Sequence, residues 1–133
     1  MIGASLNRHN PRITVRGATA DDIAKLCAVR RVSRSVRAVT FLFDGEPAGI
    51  GGISYEDGYF RAFCDINKDV RDKMGVATVV RCGFVVMDMI KKTGSTVFAV
   101  RDQSLGNSAR FLKAMGFDFY KEIDGEEYYI WQH

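Results

Sequence analysis

The sequence predicts one α/β domain in which a mixed, largely antiparallel sheet is flanked by helices, and three observations carry that reading. Apolar residues make up 47% and charged residues 26% of a 133-residue chain, the composition of a globular domain large enough to bury its own core. Three strand-like runs follow one another between Val39 and Ile66, separated by aspartate-glycine turns. A long helical pattern then leads into a strand, a short helix and a final aromatic hairpin, so helices and strands alternate without linker or repeat. No stretch is long and apolar enough to span a membrane: the longest apolar run, Cys82 to Met87, contains Gly83 and is closed by Asp88.

The first twelve residues are polar and are expected to form a flexible tail, with residues 13–133 as the single domain. The start M-I-G-A-S-L-N-R-H-N-P has no apolar core of signal-peptide length, so a cytoplasmic location is expected. Ile13 to Arg16 alternates as a strand. Thr19 is placed to cap a helix whose first turn carries Asp21 and Asp22 and whose apolar side carries Ile23, Leu26 and Cys27. If that helix continues, Arg30, Arg34 and Arg37 share one face, with Arg31 beside them. Such a cluster is either a solvated cationic helix end or a site for an acidic substrate, a phosphate or a protein partner. A net charge of +3 is too small to argue for nucleic acid.

Strands are expected at Val39 to Phe43, Ala48 to Tyr55 and Tyr59 to Ile66, joined by D-G-E-P and E-D-G. Gly49, Gly51 and Gly52 lie inside a strand that leads to another strand, so they are no dinucleotide fingerprint, which needs a strand-to-helix turn. They mark a bulge or the close approach of another backbone. Asn67 can cap a helix reaching Lys92, with Thr93-Gly94 as its stop. Strand Thr96 to Arg101, helix Gly106 to Met115, and strands Phe117 to Ile123 and Glu127 to Trp131 complete the chain, the last two joined at Asp124-Gly125. In the short helix, Phe111, Leu112 and Met115 form the apolar stripe and Gly116 the stop. Cys27, Cys64 and Cys82 are odd in number and set among apolar neighbours, which reads as small buried hydrophobes and neither a metal site nor a disulfide frame.

The closing segment N-S-A-R-F-L-K-A-M-G-F, from Asn107 to Phe117, with the hairpin ending E-E-Y-Y-I-W, resembles the end of the GNAT superfamily of N-acetyltransferases. The opening I-x-V-R-x-A-T-x-x-D resembles the start of the same family, and the order β-α-β-β-β-α-β-α-β-β is similar to its fold from Ile13 to Trp131. The resemblance implies an acyltransferase that moves an acetyl group from acetyl-CoA to a primary amine of a small molecule or protein, without a metal. The family's second helix is reduced or absent, since only about eight residues separate the first helix from the second strand. The short F-L-K-x-x-G helix, the reduced second helix and a degenerate cofactor anchor together resemble small acetyltransferase-like bacteriophage proteins, so a non-catalytic virion or partner-binding role is the alternative.

The resemblance also assigns a site. Its diphosphate anchor, R/Q-x-x-G-x-G/A, corresponds to R-D-K-M-G-V-A, which implies contacts from Arg71, Lys73, Met74, Gly75, Val76, Ala77 and Thr78. The match is degenerate, because aligning the glycine puts Asp72 in the arginine position. The alternative reading of the same residues is a helix that runs straight through Gly75 and cradles nothing. Carbonyl polarisation is expected from a backbone N–H among Phe63, Cys64, Asp65 and Ile66, and further cofactor contacts from Asn107 and Arg110. Asp65 is the candidate base, acting through water, or else a solvated strand-end carboxylate. Arg30, Arg34 and Arg37 are the candidate acceptor-binding residues. Leu112 stands where the family carries a tyrosine acid, leaving Tyr120, Tyr128 and Tyr129 as substitutes, and His9 and His133 lie in the tails.

Overall fold

The computed structural model describes residues 13–27, 35–56, 58–103, 106 and 108–132, with Met74 described by its backbone alone. Among the described residues, seven strands and four helices follow in the order β1 (Ile13–Gly17), α1 (Ala20–Leu26), β2 (Ser35–Phe43), β3 (Glu46–Glu56), β4 (Tyr59–Ile66), α2 (Lys68–Met74), α3 (Val76–Thr93), β5 (Val97–Val100), α4 (Ser108–Ala114), β6 (Asp118–Ile123) and β7 (Glu126–Trp131). The strands form one sheet in the order β1-β2-β3-β4-β5-β7-β6. Every neighbouring pair is antiparallel except β4 and β5, which run parallel because α2 and α3 connect them. The α/β class and the order of strands expected from sequence are therefore present, with two helices, α2 and α3, where one was expected between β4 and β5.

Turn chemistry accounts for the hairpins. Asp44 and Gly45 both have positive φ, as do Asp124 and Gly125, the geometry of the tight two-residue turn that matches strand twist. At the other end of α4, the Phe117 N–H reaches the Leu112 carbonyl at 2.9 Å and the Gly116 N–H reaches Lys113 at 3.0 Å, with Gly116 at φ 99°. This is a Schellman stop, and it turns the chain directly into β6.

The core lies between the sheet and the α3–α4 layer, built on Phe41, Ile53, Ala62, Cys82, Val86, Met87, Ile90, Val97, Met115, Phe117 and Tyr129. Glycines set the spacing of that layer. A Cβ on Gly51 would lie 2.6 Å from Val86, and one on Gly52 would lie 2.2 Å from the Arg37 carbonyl. The strand glycines thus admit close approach, as expected, and the nearby β2–β3 register shifts between Phe41 and Leu42. Of the stripe on α4, Met115 is buried, while Phe111 and Leu112 are partly buried against the core; a seven-residue helix at the sheet margin cannot cover its own flank.

On the opposite face α1 is held by a buried carboxylate. Asp22 accepts from the Arg16 guanidinium at 2.6 Å, the Thr19 backbone N–H at 2.9 Å and the Thr40 hydroxyl at 2.8 Å, while Thr19 caps the helix in return. The Arg16 hydrogen bond, with the Thr19 N–H and the Thr40 hydroxyl behind it, outweighs burial and holds this carboxyl well below the usual carboxylate range.

Candidate active site

The sheet splits in its middle. β4 and β5 share only the pairs Phe60↔Val97 and Arg61↔Phe98, yet β4 continues to Ile66 and β5 to Val100. The Asn67 N–H donates to the Ala48 carbonyl at 2.8 Å, and the β3–β4 register then runs unbroken from Gly49↔Ile66 to Glu56↔Tyr59. Because N–H and C=O directions alternate along a strand, Phe63 and Asp65 turn theirs toward β3; the Ala62 N–H closes the last rung to β5, opposite Phe98, and Cys64 and Ile66 turn theirs into the split. Of the four residues expected to supply a polarising N–H, Cys64 and Ile66 are the ones whose amides face it.

Side chains alternate as well. Gly51 lies beneath Val86 of α3, so its register partner Cys64, with Ala62 and Ile66, points to the α3 face. Thr40 binds Asp22 of α1 and pairs with Ile50, so Asp65, opposite Ile50, and Phe63 point to the α1 face. The candidate base and the split backbone therefore adjoin, on the side of the sheet carrying α1.

At the split's end, sequence and structure differ. The expected single helix is two: α2 is capped by the Asn67 side chain, which accepts from the Asp69 and Val70 amides, and α3 starts afresh at Val76. Gly75 between them has φ 82° and ψ 160°, a region essentially closed to residues with a Cβ. The reading of a helix straight through Gly75 is overturned for that reason. α3 therefore presents the unpaired amides of its first turn, Val76, Ala77 and Thr78, whereas the Val79 N–H already binds the Gly75 carbonyl at 3.3 Å. A Cβ at Gly75 would meet nothing within 4 Å, so the approach to those amides is open.

Arg71, Lys73 and Met74 lie in α2, not in a loop; Arg71 already gives its N–H to the Asn67 carbonyl at 2.8 Å. The partially negative carbonyl end of α2 abuts the partially positive amide end of α3 and cancels part of its field, and the cations Arg71 and Lys73 in the last turn of α2 offset those carbonyls.

The arginine cluster is not one helical face. α1 ends at Leu26 because Cys27 turns extended, at φ −70° and ψ 126°, and Arg37 belongs to β2. It pairs with Ile53, which places it on the α3 face, opposite to Asp65. Arg30, Arg31 and Arg34 lie outside the described residues, as does Asn107. Arg110 sits on the flank of α4 away from α3, lining an open basin of about 530 Å³ with Ala109, Lys113, Ala114, Phe119 and Tyr129. The short helix shows a seven-residue span too brief to aim all its polar positions at one cleft. Of the tyrosines, Tyr129 is buried and edge-on to Phe119, while Tyr120 reaches across to Phe98.

The surroundings of both core thiols disfavour the thiolate. Burial pushes Cys82 up to about 11 and raises Cys64 further, with Cys82 and Asp65 nearby adding to the effect, so thiolate is scarce near neutrality. Among the described residues no group of three histidine, cysteine, aspartate or glutamate side chains could hold a metal, and no helix is long and apolar enough to cross a membrane. What the site offers is a backbone edge, a helix start and one carboxylate, an equipment suited to acyl transfer by positioning.

A seven-stranded sheet split beside one long helix is the architecture of the GNAT acetyltransferases, and the comparison with solved structures shows that fold. One similar structure is a GNAT family acetyltransferase from Elizabethkingia anophelis with acetyl-CoA bound, at TM-score 0.63 and 10% identity, covering 92% of this chain and 99% of that one. Another is the alanine N-acetyltransferase of a ribosomal protein from Escherichia coli, at TM-score 0.61, 12% identity and coverages of 89% and 90%. A third, a proposed GNAT-family acetyltransferase from Bordetella pertussis, matches at TM-score 0.55 and 17% identity over 71% of this chain, which spans 63% of that protein's length. No family model matches the sequence, and no curated protein does.

Proposed function

We propose that this chain is an acetyl-CoA-dependent N-acetyltransferase acting on a primary amine of a small molecule or a protein. The observation that carries the reading is the split between β4 and β5, which ends at an open helix start: a backbone edge and a set of free amides in line, on a fold whose solved representatives include one with acetyl-CoA bound. The residues present fit that ligand, because nothing fills the space beside Gly75 and the Cys64 and Ile66 backbone faces the split. In this reading the Val76, Ala77 and Thr78 amides hold the diphosphate, and the outward backbone of β4 aligns the arm that follows it. The ligand would supply an activated thioester carbonyl; the Cys64 amide would polarise its oxygen. Asp65 would accept the amine proton through water on the α1 face, where the acceptor enters. The resulting amide C–N bond replaces the C–S bond, and the departing thiolate takes a proton from solvent.

The test is a thermal-shift titration with acetyl-CoA and with coenzyme A, on the parent and on Gly75→Glu. A site saturated at about a hundred times Kd adds roughly 2.7 kcal/mol of stability. The parent is expected to show that shift and Gly75→Glu to lose it, since a carboxylate beside the α3 amides opposes a diphosphate. A parent that shifts with neither ligand overturns the reading.

A further inference from the structure

The α1 face of β4 carries a cation with no partner among the described residues. Arg61 is half-buried, yet its guanidinium makes no hydrogen bond or ion pair with any of them. Arg101, also half-buried, shows the ordinary arrangement: it donates to the Ser108 hydroxyl at 3.0 Å and to the Glu127 carboxylate at 2.8 Å. Glu56 shares the face of Arg61 at the end of β3, but it accepts from the Ser54 hydroxyl at 3.1 Å and forms no ion pair with Arg61. A charge drawn partly out of water with nothing to pair with is unfavourable, so Arg61 is ready for an anion that a ligand brings.

Register fixes its place relative to the split. Asp65 faces the α1 side, and every second residue back along β4, namely Phe63, Arg61 and Tyr59, faces it too. Arg61 stands opposite Phe98 of β5, and Tyr59 meets that ring edge-on at 5.4 Å. The next positions outward on this face, Ile130 and Tyr128 of β7, pair with Phe98 and Val100, and all four are half-buried. From the Cys64 amide the surface is thus an apolar strip with a guanidinium at its far end. Three steps of strand separate Cys64 from Arg61, roughly 10 Å. An α-amino acid, whose amine and carboxylate share one carbon, is too short for that span. An extended peptide rises by the same amount per residue as the strand beneath it, so with its amine level with Cys64 its third or fourth side chain reaches Arg61.

Resting on the acetyl transfer proposed above for the place of the amine, we propose that Arg61 determines acceptor specificity, selecting peptides whose free N-terminus is followed by an acidic side chain at the third or fourth position. The planar guanidinium offers paired N–H donors that match a carboxylate edge. Phe98, Val100, Tyr128 and Ile130 give the intervening side chains an apolar bed. Arg61 holds the acceptor, and the chemistry stays with the β4 edge and Asp65.

The test uses the full chain and a series of short, C-terminally amidated peptides in which one aspartate is walked from the second position to the sixth. Binding is read by fluorescence anisotropy of peptides labelled at the C-terminus, and acetylation by acetyl-CoA is followed on the same series. Aspartate at the third or fourth position is expected to tighten binding and lower KM by about tenfold or more relative to asparagine, the worth of a charge-assisted hydrogen bond, with no gain at the second or sixth. Arg61→Gln should erase that preference without lowering Tm, because the guanidinium holds nothing in the fold. Arg61→Glu should transfer the preference to peptides with lysine at the same positions. Acetylation indifferent to the charge or its position, or a preference that survives Arg61→Gln, overturns the inference and leaves the acetyltransferase reading standing. A destabilised Arg61→Gln that loses all peptides equally also overturns it, because it places Arg61 in the fold. Binding that depends on Arg61 and on aspartate position, without acetyl transfer, keeps the acidic-peptide site and overturns the acetyltransferase reading instead. Neither binding nor transfer overturns both.

Discussion

Two glycines, Gly75 capping the start of α3 and Gly83 two turns inside it, do opposite work. Gly83 is there for what is absent: a Cβ would lie 2.7 Å from Phe111 and 3.1 Å from Met115, so the missing side chain is the room that lets α4 dock. Gly75 is there for what its backbone can do: it holds φ 82° with nothing within 4 Å of a Cβ, so the missing side chain frees a conformation and leaves an approach clear. The same residue type marks packing at one end and access at the other. Neighbours and dihedral separate the two uses; spacing in the sequence does not.

The largest effect expected is at the packed end. Phe111→Ala should cost about 3 kcal/mol, the lower edge of the range for a buried aromatic, because Phe111 is only partly covered; urea denaturation measures it. In the parent, Gly83→Ala should destabilise by overpacking, and in the Phe111→Ala background the same change should become neutral or favourable, giving a coupling of about 0.5–3 kcal/mol. If Gly83→Ala stabilises the parent by the ordinary helix preference of about 1 kcal/mol, the two helices do not meet there.

A control removed from both glycines sharpens the contrast. Asp22→Asn should cost about 1.5–3 kcal/mol, the value of hydrogen bonds to a charged group, and add independently to either glycine variant. Its pH dependence has a fixed sign. The folded carboxyl is held below its ordinary value of about 4, so its stabilisation is complete above that pH and is lost as pH falls toward the depressed value. Stability curves of parent and variant should therefore converge on acidification; curves that stay parallel would remove Asp22 from the account.

The smallest expected effect is at the open end. Gly75→Ala should cost about 1–3 kcal/mol from backbone strain alone, and should show no coupling to Phe111→Ala. A stabilised alanine variant would mean a continuous helix, and the distinction between the glycines would collapse.

Local chemistry made most of the fold legible in the sequence. The Thr19 and Asn67 caps, the Asp-Gly turns, the Gly94 and Gly116 stops and the order of elements all depend on residues within a few positions of one another. What was illegible depends on distant partners or on a single dihedral. Asp22 reads as a first-turn acid, and nothing nearby announces Thr40 across the sheet. Arg37 reads with a helical cluster only while α1 is allowed to continue; the alternation Val36, Ala38, Thr40 that claims it for β2 was the signal available. The break at Gly75 could be suspected from its glycine but not told from a tolerated helical one. The candidate site divides likewise: the strand and helix start were legible through the family resemblance, whereas the direction of the Cys64 amide follows only from the register of β3 against β4.

The join between β4 and β5 is two residue pairs wide, in a sheet whose other strands are paired along most of their length. Mechanically this makes the sheet two leaves on a narrow flexure, β1 to β4 on one side and β5, β7 and β6 on the other, with α3 packed on β3 and β4 of the first leaf. A ligand laid along the outer edge of β4 would act as a wedge and a splint together, fixing the angle between leaves that nothing else in the sheet fixes there. Slowed amide exchange at Cys64 and Ile66 on ligand addition, with β1 and β2 unchanged, is how that stiffening would be recorded.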